Sequence, residues 1–164
     1  MTLVFKQIKP QRLLVEAMRA ALEAAANQAA DEIEVDFQKT TASWTNKPIF
    51  EKLVDLGPPI TVLVGTDDEI YGYVDLGTRP HVIRPKRAKA LRFQSGYVAK
   101  TTPGVIGSSA GGPFGDTVFS RGVNHPGTKA RNFSKGITEL WQTKFKRKME
   151  QAMSSAAKAS GHAL

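Results

Sequence analysis

Seven apolar residues, Leu14, Met18, Leu22, Ala26, Ala29, Ile33 and Phe37, recur every three or four positions through "LLVEAMRAALEAAANQAADEIEVDF". That spacing predicts one amphipathic helix of about 25–30 residues after Pro10, roughly 40 Å long at the rise of an α-helix. Alanine dominates its middle, which favours the helix and gives it a slim surface that another element can approach closely. Arg12 and Arg19 near its start, and Asp31, Glu32, Glu34 and Asp36 near its end, oppose the helix dipole, so contacts elsewhere must offset them. A rod this long exceeds what a 164-residue chain needs, and part of it is expected to meet a neighbour.

A second helix closes the chain. Ile137, Trp141, Phe145, Met149, Ala152, Met153 and Ala156 form its stripe, with Ser134 as the expected cap. Lys144, Lys146, Arg147 and Lys148 crowd the middle and should point away from the stripe.

Between the helices the period changes. Residues 40–59 read as a linker with one helical turn over 49–56, closed by Gly57 and two prolines. "ITVLVG" (60–65) and "IYGYVDLGT" (70–78) read as strands of one hairpin across the turn "DDE". "HVIRPK" (81–86) and "ALRFQ" (90–94) read as a further pair around "KRAK". Glycine, serine, threonine and proline then predominate over 95–117, predicting a mobile loop, and one short strand and a Pro-Gly turn follow in 118–133. The expected fold class is α+β. The two helices pack on one face of a small antiparallel twisted sheet, in a single domain of residues 1–164 with a flexible tail about 158–164.

Charge is divided along the chain. Residues 1–78 hold seven Lys/Arg against twelve Asp/Glu, and residues 79–164 hold sixteen against three, giving +8 overall. Such a dipolar surface favours oriented association with itself or with a polyanion. The absence of cysteine excludes disulfides and thiolate chemistry and fits a reducing compartment. No segment has the apolar length of a signal peptide or membrane span, so a soluble intracellular product is expected.

Chemistry is sparse. His81, His125 and His162 have no metal-ligand spacing, "GTK" (127–129) lacks the phosphate-loop pattern, and "DDE" (67–69) lacks the calcium-loop pattern. No catalytic, cofactor or metal residues are assigned. The constellation that remains is basic: Arg79, Arg84, Lys86, Arg87, Lys89 and Arg92 on a proline-stiffened segment, joined further on by His125, Lys129 and Arg131. These nine are the expected contacts for an assembly partner or a polyanion. A free nucleic-acid-binding domain is the alternative, each neutralised phosphate adding salt-dependent affinity. Tyr71, Tyr73, Phe93 and Tyr97 fit core positions better than base-stacking platforms.

At "YVDLGTRPHVIRPKRAKALRF" (73–93) and "VNHPGTKARNF" (123–133) the chain resembles the small neck or tail-completion proteins of long-tailed bacteriophages. The first block matches at Tyr73, Gly77, Thr78, Pro80, His81, Ile83, Pro85, Lys86, Ala88, Lys89, Ala90, Leu91 and Phe93. The second matches at Val123, His125, Pro126, Gly127, Thr128 and Phe133. Asp75-Leu76, where the family shows acidic–aromatic, and Asn132, where it shows proline, depart from the pattern. The resemblance implies a virion structural protein without enzymatic activity, made in the host cytoplasm. Its subunits would be similar to tail terminators, closing into a ring at the head–tail junction, sixfold to match the tail tube. The implied partners are further copies of itself, the connector or stopper, the tube, and DNA in the lumen. The 95–117 loop would be the arm that orders against a neighbour.

Overall fold

The computed structural model describes residues 12–162, so Pro10 lies outside the described residues. Three helices and six strands follow one another as α1 (Val15–Thr40), β1 (Glu51–Asp55), β2 (Thr61–Gly65), α2 (Glu69–Leu76), β3 (His81–Ile83), β4 (Leu91–Val98), β5 (Gly112–Ser120), β6 (Val123–His125) and α3 (Phe133–Ala159). The fold is α+β, with α1 and α3 packed on each other and α1 on β1 and β2. The expected single sheet is three two-stranded antiparallel ribbons, β1–β2, β3–β6 and β4–β5.

The long stripe does what its period predicts, but over part of its length. Ala26, Ala29, Ala30 and Phe37 are buried, while Leu13, Leu14 and Val15 stay exposed. Trp141 Nε1 donates to Asp36 at 2.9 Å and Lys148 reaches Glu32 at 2.8 Å, so the helices run antiparallel and the start of α1 is left uncovered. On α3, Ile137, Trp141 and Ala156 are buried, whereas Met153 is exposed. Lys148 also offsets the acidic end of α1, as does Lys52, which bridges Asp31 and Glu34. Burial pushes the Asp36 carboxyl up, but hydrogen bonds from Lys39 and Trp141 and the charges of Lys39 and Lys144 outweigh it and hold the group below its usual range.

The core is aromatic. Phe37, Phe50, Tyr71, Phe133 and Trp141 gather with Ala29 and Ile137. Phe50 meets Tyr71 edge-on at 5.2 Å between centroids, and Tyr71 meets Phe133 at 6.1 Å. Burial, opposed by the Thr40 hydroxyl and helped by the Asp75 charge, pushes the Tyr71 phenol up to about 12. The unfolded chain therefore ionises Tyr71 first, and the stability present below its ordinary value of 10.0 is lost as pH rises toward about 12. Urea unfolding across that window should reveal the loss, and Tyr71→Phe should flatten the slope.

Two elements correct the sequence reading. Residues 49–56 form no helical turn: β1 pairs Leu53 with Leu63 and Val54 with Val62 across the double-proline turn. Residues 70–78 form no strand. Asp68 accepts from Tyr71 N at 2.7 Å and caps α2, which buries Tyr71 and Asp75 one turn apart, and Gly77 ends it at φ 77°. The aromatic alternation of "IYGYV" suggested a strand, yet the aspartate cap and the i, i+4 burial decide the outcome.

The other corrections concern α3 and the chain end. Ser134 does not cap α3; Asn132 occupies that position in a left-handed conformation without a side-chain bond. Residues 158–162 are no loose tail: α3 continues to Ala159, and Ser160 is buried with its hydroxyl on Ala156 O. The last two residues, 163 and 164, lie outside the described residues.

Candidate assembly surface

The two blocks that carry the family resemblance meet in space. Thr78 and Thr128 exchange backbone hydrogen bonds at 2.9 and 3.2 Å, and the Thr78 hydroxyl accepts from Thr128 N at 2.9 Å. Glycines stand on both sides of this bridge because nothing larger fits. A Cβ on Gly77 would lie 2.6 Å from Thr128 O, and one on Gly127 would lie 2.2 Å from Thr78 O. Both residues have positive φ, 77° and 88°. One step outward, β3 pairs His81 with His125, and the two rings sit 5.0 Å apart. His81 Nδ1 faces Arg79 O and His125 Nδ1 accepts from Gly127 N, so both imidazoles are committed locally. Among the described residues no group of three His, Asp or Glu gathers as a metal site.

The same clasp anchors α3. Asp75 of α2 accepts from Ser134 N at 3.2 Å and from the Ser134 hydroxyl, while its carbonyl receives the Arg131 and Asn132 amides. A buried carboxylate from another element thus does the capping that Ser134 was expected to do. Arg131, expected at a contact surface, is buried, with Nε on Thr101 Oγ1 at 3.1 Å. Arg131 is therefore not a surface contact; it ties the 99–111 connection to the clasp. His125 is half-buried in the clasp, and Lys129 is exposed.

From the clasp the β3–β6 and β4–β5 ribbons extend. The expected hairpin of 81–86 with 90–94 does not form, because β3 pairs with β6 and β4 with β5. The expected mobile loop also shrinks, since β4 and β5 take in 95–98 and 112–117. What remains, 99–111, is fastened to the body: Lys100 Nζ donates to Ser43 O, Ser43 N to Ser108 Oγ, and Gly104 N to Arg131 O. Thr101 is buried there and Ile106 packs on the core. Residues 84–90 lie at the opposite end of the β4–β5 ribbon, beside the Leu91–Ser120 pair.

The ribbons are thinly covered. Neither β4 nor β5 has a buried residue, and Tyr97, Phe114 and Phe119 are 66%, 56% and 68% exposed. A two-stranded ribbon alone is marginal in water, and this one leaves aromatics exposed on both of its faces. An apolar groove of about 340 Å³, lined by Ile83, Leu91, Phe93, Tyr97, Pro113 and Val123, lies between the two ribbons.

The basic residues from Arg84 to Arg92 cluster at the far end, whereas Arg79 stands at the clasp beside Thr78 and Gly127. Arg79, Arg84, Lys86, Arg87, Lys89 and Arg92 are all exposed, and among the described residues none has a carboxylate within salt-bridge distance. Arg121, in the two-residue link from β5 to β6, joins them, and the sequence reading missed it. Its signal was available only through strand pairing, which places residue 121 beside residues 84–91. No family model, curated protein or solved structure matches this chain. Among the described residues no helix is long and apolar enough to cross a membrane.

Proposed function

We propose that the chain is a structural virion protein of a tailed phage, a ring-forming neck or tail-completion component at the head–tail junction, similar to tail terminators. The observation that carries this reading is the β4–β5 arm, whose aromatics lie uncovered next to a tip of unpaired cations. Such a surface suits an obligate contact, since isolated chains rarely leave large apolar faces in water. The clasp then has a clear role. Through Arg131 it ties the 99–111 connection at the foot of the arm to the start of α3, so that the tip is presented in a set direction. Copies joined head to tail close into a ring when the rotation allows it, with the connector, the tube and DNA as further neighbours. No catalytic set is assigned, and the free nucleic-acid-binding domain remains the rival reading.

Replacing Arg84, Lys86, Arg87 and Lys89 together with glutamate should shift the thermal midpoint by no more than about 6 °C, because exposed substitutions change stability by roughly 0.5 kcal/mol or less each. Particles produced with that variant as the sole source should lack the protein and accumulate unjoined heads and tails. Normal infectious particles from the variant would contradict the proposal. Deleting 98–115 is a poorer test, since it removes Thr101 and Ile106 from the body as well as Val98 of β4 and residues 112–115 of β5.

A further inference from the structure

Two uncovered surfaces of this chain complement each other. On β1, strand alternation puts Glu51, Leu53 and Asp55 on one face, and Leu53 pairs across with Leu63 of β2. Leu53 and Leu63 are 61% and 58% exposed, and Ile49, two residues before β1, is uncovered as well. Asp67 and Glu69 follow at the next turn. Most acids of α1 are occupied by Lys39, Lys52 and Lys148, whereas Glu51, Asp55, Asp67 and Glu69 have no cation within salt-bridge distance among the described residues. Unpaired negative charge thus flanks the exposed leucines of β1–β2; among the described residues Glu16 and Glu23 on α1 and Asp116 on β5 are unpaired acids elsewhere.

The arm is the positive counterpart. Arg92 pairs across with Phe119, so both lie on one face of β4–β5, and Phe114 lies across Gly96 on the same ribbon. Arg84, Lys86, Arg87, Lys89 and Arg121 surround the ribbon's end. Each surface has an apolar centre and a charged rim, the layout of a specific protein contact. The arm does not pack on β1–β2 within one chain, whose ribbons share no extended contact.

Resting on the proposed assembly, we infer that the arm of one copy seats on the outward face of β1–β2 of a second copy. Phe119 lies against Leu53 and Leu63, and the tip arginines face Glu51, Asp55, Asp67 and Glu69. The contact is heterologous: every copy offers one arm and one acidic face, so it propagates around a ring instead of ending at a dimer. Opposite rims fix the orientation and disfavour arm-to-arm pairing.

The natural chain has no cysteine, so site-specific cross-linking reads the contact directly. A full-length protein carrying both Phe119→Cys and Leu63→Cys should give a ladder of disulfide-linked copies on mild oxidation, with either substitution alone giving dimers at most. Light scattering supplies the second measurement. Arg87→Glu with Arg92→Glu, and separately Glu51→Lys with Asp67→Lys, should each weaken self-association at least tenfold. Mixing the two reversed proteins, or combining all four changes in one chain, should restore it. Association that is indifferent to both reversals, without a cross-linked ladder, would overturn this contact while leaving a ring built on another surface. A chain that stays monomeric and uncross-linked at millimolar concentration, yet binds duplex DNA through the tip arginines, would overturn the contact and favour the rival reading.

Discussion

Gly127→Ala should destabilise this protein by about 3 kcal/mol and lower its thermal midpoint by about 10 °C, a large effect for one added methyl group. The residue has φ 88°, which alone costs a side-chain-bearing residue about 1–2 kcal/mol. Its Cβ would also stand 2.2 Å from Thr78 O, a backbone atom that cannot rotate away as a flexible side chain could. Relief requires the 77–78 and 127–128 segments to part, which breaks both Thr78–Thr128 backbone bonds. Calorimetry on the purified variant checks the loss. Gly136→Ala is the control, since a Cβ there meets nothing within 4 Å, and α3 should tolerate or favour it. A Gly127→Ala protein as stable as the parent would mean that the two blocks do not close on each other as described.

Asp75→Ala should cost about 2 kcal/mol, because it leaves a half-buried amide and a half-buried hydroxyl at the start of α3 without their acceptor. Asp75 is 6% exposed and, among the described residues, is the only side chain that bonds Ser134 N. Ser134→Ala keeps the bond to the amide and loses only the one to the hydroxyl, so it should cost about 1 kcal/mol. The ratio of the two penalties, read from urea midpoints, distinguishes a carboxylate that holds the helix start from one that merely fills space. Equal penalties would contradict the capping role.

Both terminal helices were legible because a 3.6-residue period is a strong signal over 25 or more residues. The fold class followed from them. The strand assignments were weaker, and their errors have local causes. "EKLVD" carries three charges in five residues, so its pairing with "TVLVG" shows only when the turn between them is known. "EIYGYVDL" alternates like a strand, but the Asp68 cap and the Tyr71–Asp75 spacing mark a helix, and both marks lay in the sequence. The long loop was shortened by a ribbon whose glycines and serines conceal the alternation of Phe93, Tyr97, Phe114 and Val118.

The basic segment was legible as charge but not as place. Sequence spacing suggested a hairpin of its own; pairing with β6 and β5 instead puts it at the end of an arm. Arg131 shows the limit from the other side. Nothing in "TKARNF" distinguishes an exposed Lys129 from an arginine turned inward to Thr101, because the difference depends on a loop that returns thirty residues away. The two glycine–threonine pairs stood out in the sequence, yet their mutual fit is a tertiary fact.

The most direct measurement of whether the arm is an assembly surface is a reconstruction, at a resolution that shows side chains, of the phage neck in which the proposed function puts the chain. It should place Phe114 and Phe119 beneath a neighbouring subunit, with the arginines of the 84–92 segment against carboxylates or phosphates. A map in which the β4–β5 ribbon and its basic tip stand in open solvent, touching neither protein nor DNA, would contradict the account.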